Sequence, residues 1–358
     1  MQGLQKAGYE VVTCLPPDRA FKHYPKLLWQ FLWKKRGCDL VVVGFYGQLL
    51  FPFVWLMTRK PLLYDVYIST YDTMVHDRGK GGERSLLARF FFWSDTLSMR
   101  LADRIILETR DHIRDYARKF GIPEKKFFHI FLATDDTVVA QRNGTGVAPG
   151  HSPENGSRPH EMNRADSPSR NEPANGTFLV HFHGEYAPFH GVQYILRAAD
   201  LLRDENVHFQ IIGRGITYER NMQVARDLKL RNCTFIEWVP YEELADYMSR
   251  AQACLGIFGE NPRTLRVLTN KVIESIAVGK PLITARNEPV QELLEDGKSA
   301  LLVERANPQA IADAILKLRD DRELRERIGK DGHEVYRKNC TLDIFSKRLD
   351  TVIREMLN

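Results

Sequence analysis

GIFGENPRTLRVLTNKVIESIAVGKPLITA, residues 256–285, decides how this chain is read. It runs strand, loop, helix, strand. The apolar residues Leu255 to Phe258 lead into a glycine-bearing loop, and Asn270 opens a helix whose periodic face is Val272, Ile273, Ile276 and Ala277. Gly279 stops that helix and Pro281 starts the next strand. The helix N-terminus therefore lies at the carboxyl end of a strand, where open α/β sheets bind ligands. There, free backbone N–H groups and the helix dipole attract phosphate. One acid, Glu274, sits a turn inside that terminus. It would repel a phosphate but accept hydrogen bonds from sugar hydroxyls. Phosphate on the amides with ribose on the acid describes a nucleotide-sugar site. The same pattern also fits an ordinary βαβ unit with a solvated glutamate.

The rhythm around this stretch extends along the chain. In the first half, strands are expected at Glu10–Cys14, Asp39–Val43, Pro61–Asp65, Arg104–Leu107 and Phe127–Phe131, with helices at 23–36, 46–58, 82–102 and 109–120. The second half restarts the alternation, with strands at 177–183, 207–212, 233–237, 252–257, 281–284 and 299–303. Strands separated by helices imply parallel, doubly wound sheets. Between the halves, residues 137–176 turn to Pro, Gly, Ser, Asn and charge, which predicts a disordered insert. The expected organisation is an N-terminal domain over 1–136, the insert over 137–176, a second domain over 177–338 and a terminal helix segment over 339–358.

A chain of 358 residues is long enough for two full cores, and its net charge of +5 includes basic residues of the insert, so charge alone does not imply nucleic acid. The 5 cysteines are scattered, with no spacing for zinc, which fits reduced thiols in the cytoplasm. Met1 to Gly8 is short and polar, unlike a signal peptide. The apolar run at Leu49 to Met57 is too short and broken to span a bilayer. FKHYPKLLWQFLWKKRG at 21–37 mixes lysine and arginine with tryptophan and leucine. It reads either as a core-facing helix with a solvated basic edge or as a helix making peripheral contact with an anionic membrane, at its inner face.

NKVIESIAVGKPLITA resembles the donor-binding signature of glycosyltransferase family 4, retaining enzymes of the two-domain GT-B fold. FHGEYAPFHGVQYILRAADLL at 182–202 resembles that family's first strand, glycine loop and helix of the C-terminal domain, and FQIIGRG at 209–215 its next strand and glycine turn. FIEWVPYEELADYMSRAQACLGIF at 235–258 resembles the following segment. Upstream, CDLVVVGFYGQ, YDVYISTYDTMVHDR and LADRIILETRDHI resemble the acceptor domain of a bacterial branch. The resemblance implies α/β architecture, with two Rossmann-like domains whose parallel sheets face across a cleft. It implies a nucleotide-diphosphate sugar as co-substrate, a saccharide or lipid-linked acceptor, no metal, no further cofactor and no nucleic-acid partner. It also implies that LQKAGYEVV is the end of a first helix entering the second strand, so that a first strand would be missing.

The resemblance assigns donor binding to Gly184, Glu185, His190, Gly191, Gly213, Arg214, Asn270, Lys271 and Glu274, with Glu274 holding ribose. On the acceptor side, Asp65, Asp72, His76 and Asp77 cluster after a strand, as acceptor-binding or proton-transfer groups or as loop caps. Relatives commonly carry an Arg and a Lys in the first glycine loop, where this chain has Glu185 and His190. They often carry a Glu eight residues before Glu274, where this chain has Arg266. Arg266 is then either a replacement cation at the diphosphate or a loop cation in solvent, with Arg263 a second candidate. Two other readings share these features: a GT-B sugar epimerase and a non-catalytic nucleotide-sugar binding protein.

Overall fold

A computed structural model of the protein describes residues 1–16, 21–44, 47–77, 79, 82–134 and 176–358, with the side chains of Phe21, His76 and Asp77 outside the description. The described chain forms two compact units. The first joins residues 1–131 to Asp343–Asn358, and the second holds residues 132–134 and 176–342. The insert expected at 137–176 lies outside the described residues except for Gly176.

The first unit has a short α1 (Gln2–Lys6) and a four-stranded parallel sheet in the order β1-β2-β3-β4: Val41–Val43, Leu62–Asp65, Arg104–Leu107 and Phe127–His129. Helix α2 (Tyr24–Lys34) precedes β1, and α3 (Phe51–Met57), α4 (Leu86–Leu101) and α5 (Arg110–Phe120) connect the strands. Local chemistry sets their ends. Pro52 begins α3, the hydroxyl of Thr109 accepts from the amide of His112 to start α5, and Gly121 closes α5 at φ +63°. The strand expected at Glu10–Cys14 does not form. Residues 9–16 carry no regular structure, and no described strand pairs with them. The Tyr9 hydroxyl instead donates to Asp350 at 2.7 Å, and Val12 and Leu15 stay exposed. A β-forming composition makes a strand only where a ladder receives it.

The second unit is a six-stranded parallel sheet in the order β10-β9-β8-β5-β6-β7. These strands are Phe178–His183 (β5), Val207–Ile212 (β6), Cys233–Ile236 (β7), Ala253–Leu255 (β8), Leu282–Ala285 (β9) and Leu301–Val303 (β10). All six residues of β5 are buried, as expected for a central strand covered on both faces. Phe178, Val180 and Phe182 face a core shared with α6 (Val192–Leu201). α7 (Tyr218–Asp227) follows β6. α8 (Tyr241–Arg250) packs near Ile212 and Cys254, and α9 (Asn270–Ala277) precedes β9. The order matters for function. From β5 the chain grows outward through β6 and β7, then returns to place β8 on the other side of β5. The carboxyl ends of β5 and β8 therefore flank the point where sheet order reverses, the usual ligand position in such sheets.

α10 (Glu288–Gln291), α11 (Pro308–Asp320) and α12 (Arg322–Asn339) complete this unit. The last helix, α13 (Leu342–Leu357), buries Leu349, Val352 and Ile353 against Leu63, Ile106 and Ile130 of the first unit. The Ser346 hydroxyl donates to the carbonyl of Gly3 at 2.8 Å, which ties α13 to α1.

Candidate functional site

Alternation along β5 puts His181 and His183 on one face, opposite Val180 and Phe182. That face meets the start of α8 and the first turns of α9. Glu274, only 5% exposed, receives there a hydrogen bond from the Tyr241 hydroxyl on Oε1 at 2.9 Å and meets His183 Nε2 with Oε2 at 2.8 Å. The contacts continue from His183 Nδ1 to His181 Nε2 at 2.9 Å, and from His181 Nδ1 to Gln210 Nε2 at 2.9 Å. Burial, aided by His183, pushes His181 well below the usual imidazole range, so it is neutral. Burial alone would raise the carboxyl of Glu274. The hydrogen bonds from His183 and Tyr241 and the charge of Lys271 outweigh it and hold the group below its ordinary value. With an ionised Glu274, one arrangement satisfies every contact: Gln210 donates to His181, His181 to His183, and His183 to Glu274.

Lys271, also 5% exposed, extends over the first glycine loop. A side-chain carbon at Gly184 would lie 2.9 Å from its ammonium, and the ammonium lies 5.4 Å from the centre of the Phe182 ring. Its hydrogen-bond partner is His190 Nε2 at 3.0 Å. The other ring nitrogen, Nδ1, faces the backbone oxygen of Glu185, which can only accept. His190 Nδ1 therefore carries the proton, and Nε2 accepts from Lys271. Burial, reinforced by Lys271, pushes His190 well below its usual value and keeps it neutral. Burial also pulls Lys271 down to about 7, against the opposing pull of Glu274 and Glu185 and with the help of Arg263.

The helix that carries both residues starts at Thr269 with no side-chain cap on its first amides, and the buried Thr269 hydroxyl has no hydrogen-bond partner among the described residues. Asn270 is exposed at that start. An uncapped helix N-terminus beside a lysine is a site for an anion.

The glycines serve close packing. A side-chain carbon at Gly213 would fall 2.0 Å from the carbonyl oxygen of Gly184, so two glycine loops stack here. At Gly191, with φ +68°, a side-chain carbon would fall 2.5 Å from the amide nitrogen of Gly259. Gly191→Ala should therefore destabilise the second unit by roughly 1–3 kcal/mol from backbone strain alone, before any clash. An unchanged thermal midpoint would show that this approach is not needed.

Other expected residues are placed differently. Glu185 is exposed, and its backbone oxygen serves His190. Arg214 is half exposed and donates to Glu237 at 2.8 Å, with Tyr218 bound to the same carboxylate. Arg266 follows the short turn Pro262–Leu265 and is partly buried. The guanidinium of Arg263 lies 4.1 Å from the centre of the Phe189 ring, and its charge acts on both Lys271 and His190.

In the first unit, Asp65 is exposed at the end of β2. Asp72 is buried and committed: Ser69 donates to it at 2.8 Å, Tyr116 at 3.1 Å, and Lys119 pairs with its other oxygen. The side chains of His76 and Asp77 lie outside the described residues. No local pattern in the sequence marks Asp95, whose carboxylate receives the amides of Thr70 and Tyr71, or the buried pair of Glu108 and His112 at 2.9 Å. His181, His183, Gln210 and Tyr241 are likewise absent from the residues expected at the site. Two histidines at alternate positions of an otherwise apolar strand were the available signal.

Residues 177–321 match the family described as Glycosyl transferases group 1. A glycosyltransferase of Methanocaldococcus jannaschii is 27% identical over 157 residues, 44% of this chain and 42% of that protein. A D-inositol 3-phosphate glycosyltransferase of Corynebacterium glutamicum is 30% identical over 168 residues, 44% of this chain and 39% of that protein. The matched region thus spans less than half the length of these relatives. Among solved structures, Anabaena HepE in complex with UDP-glucose superposes with a TM-score of 0.70 at 14% identity, over 97% of this chain and 85% of that one. Sucrose-phosphate synthase from Thermosynechococcus elongatus gives 0.69 at 17% identity, over 97% and 81%. The fold is that of the GT-B glycosyltransferases. The match to the Glycosyl transferases group 1 family lies within its second unit.

Proposed function

We propose that this protein is a retaining glycosyltransferase of family 4 that moves a sugar from a nucleotide-diphosphate sugar to a saccharide or lipid-linked acceptor. One observation carries the reading. Lys271 and Glu274 sit less than a turn apart at the uncapped start of α9, beside the reversal point of the sheet. The amides and Lys271 take the diphosphate, and Glu274 takes the ribose. Lys271 reaches Gly184 from the helix and so supplies a cation that the glycine loop, with Glu185 and His190, does not. Arg263 and Arg266 add positive charge in the preceding loop. Together these groups can stabilise a departing diphosphate without a metal. Asp65 and His76 are the acceptor-side candidates. The retaining outcome and the family rest on the resemblance of NKVIESIAVGKPLITA and its neighbours. The group 1 domain match and the UDP and UDP-glucose bound to Anabaena HepE support a nucleotide-sugar donor.

The test is calorimetric binding of UDP and a panel of UDP-sugars, followed by product analysis with candidate saccharide and glycolipid acceptors. UDP should bind, be released from the sugar donor only when acceptor is added, and leave the anomeric configuration unchanged in the product. Release without acceptor, together with an altered sugar, would identify an epimerase instead. Binding without any turnover across the acceptor panel would replace transfer with a binding role.

A further inference from the structure

An acid stands at the mouth of a site suited to an anion. Glu185 follows Gly184 in the first glycine loop, and its side chain is exposed. The backbone around it is pinned. The Gly184 amide donates to the carbonyl of Ile212 at 2.9 Å, and the Tyr186 amide to that of Arg214 at 3.1 Å. The Glu185 carbonyl accepts from His190. A side-chain carbon at Gly215 would lie 2.8 Å from Cγ of Glu185, so the glutamate stem rests against the second glycine turn. The two loops, rather than solvent, set the course of this side chain.

No hydrogen bond or ion pair holds the Glu185 carboxylate among the described residues. Arg214, the cation of the second turn, donates to Glu237 at 2.8 Å and lies 3.7 Å from Glu219. Lys271 ends against Gly184, one residue from Glu185, and feels its charge, but its hydrogen bond goes to His190. A carboxylate left open beside an anion site weakens that site unless the ligand brings a positive group of its own. The charge balance points the same way. A nucleotide-diphosphate sugar carries one negative charge on each phosphate. Those charges, with Glu185 and Glu274, outnumber Lys271, Arg263 and Arg266 by one, even when Lys271 is protonated.

We propose that Glu185 selects a donor whose sugar carries a free amino group beside its anomeric carbon. The proposal rests on the transferase reading, which puts the diphosphate on Lys271 and the first amides of α9. Of the ring carbons that bear a polar group, C2 lies nearest the diphosphate, and so nearest the loop that carries Glu185. An ammonium there gives Glu185 a charge-assisted hydrogen bond and restores the balance of charge. A hydroxyl or an acetamide on the same carbon can donate a hydrogen bond but leaves the extra negative charge in place. Selectivity then has a repulsive half and an attractive half. Glu185 weakens every diphosphate ligand and offsets that loss only for the amine.

Calorimetry of UDP, UDP-glucosamine and UDP-N-acetylglucosamine in the presence of EDTA tests it. At about pH 6 the sugar amine is protonated, and Lys271, whose value is about 7, is largely charged. The parent should bind UDP-glucosamine about tenfold more tightly than UDP-N-acetylglucosamine. Glu185→Gln should erase that preference and bind UDP itself about threefold more tightly than the parent does. Added salt should shrink both effects. The side chain is exposed and only the backbone oxygen serves His190, so the thermal midpoint should stay unchanged. Equal affinity of the parent for the two sugars, or a preference that survives Glu185→Gln, would overturn the proposal. So would a gain for UDP-N-acetylglucosamine on replacing EDTA with magnesium chloride that matches the effect of the amine, since the missing cation would then be a metal. Failure of the parent to bind UDP at all would remove the transferase reading, and this proposal with it.

Discussion

Lys271→Met should weaken UDP binding by about 10- to 150-fold, and it should abolish a pH dependence that the parent protein shows. The magnitude follows from a charge-assisted hydrogen bond of roughly 1.5–3 kcal/mol. The pH dependence follows from burial, which places Lys271 at about 7 in the empty site. A bound diphosphate favours the charged form. Above pH 7 the site must therefore take up a proton on binding. Affinity should fall as pH rises, by up to tenfold per unit, until the pKa of the occupied site is reached. Well below pH 7 the lysine is already charged, and this uptake disappears. Folding responds in the opposite direction. The unfolded chain holds its lysine proton up to the ordinary value of 10.5, so between about 7 and 10.5 it binds more protons than the native state, and the empty protein gains stability as pH rises. Calorimetry of UDP binding in two buffers of different ionisation enthalpy, at pH 8, measures the proton uptake. If the parent and Lys271→Met take up equal numbers of protons, Lys271 does not hold the diphosphate.

Glu274→Ala should weaken UDP binding about 10- to 150-fold while leaving inorganic pyrophosphate almost unaffected. The first loss is that of charge-assisted hydrogen bonds to the ribose, worth roughly 1.5–3 kcal/mol. Pyrophosphate has no ribose and supplies the control. The substitution also strips a partner from the buried His183 N–H and from the Tyr241 hydroxyl, at 2.8 and 2.9 Å in the parent. An unsatisfied buried donor costs roughly 1–3 kcal/mol, so the second unit should remain folded with a lower thermal midpoint. Equal weakening of UDP and pyrophosphate would assign Glu274 to the diphosphate or to structure alone, and the ribose role would be lost.

The contrast between these residues explains what could be read from the chain. Glu274 was legible because helix start, glycine stop and proline restart fix its place within one short stretch. The strands of the second unit were legible for the same reason, since each is an apolar run between turn residues, and β5 and β6 fall within a residue of their expected bounds. Lys271 was legible as a residue but not in its environment. Sequence places it on a helix end, where a solvated lysine is ordinary. Only the empty space over Gly184 turns it inward. His190, assigned by the resemblance to donor binding, accepts from Lys271, because the Glu185 carbonyl fixes its tautomer. Asp72 is expected to serve the acceptor, transfer a proton or cap its loop, whereas Tyr116 and Lys119, more than forty positions away, claim its oxygens. Tyr241, 33 positions before Glu274, belongs to the same class of long-range contact. Glu10–Cys14 has the composition of a strand and lacks a ladder. Local periodicity carries no information about such partners.

The contacts from Gln210 to Glu274 have one further property. Every N–H in that series points the same way, from β6 across β5 toward the carboxylate. Three side chains thus form a row of aligned dipoles with its positive end at Glu274, though none of them needs to carry a formal charge. A helix terminus acts on an anion by the same principle, with backbone amides in place of imidazoles. That row acts together with the Tyr241 hydrogen bond and the charge of Lys271 in holding the carboxyl below its ordinary value. The row has a sense of direction set at its far end, by an amide that donates. The polarity felt at Glu274 is therefore anchored on a different strand, at Gln210 of β6.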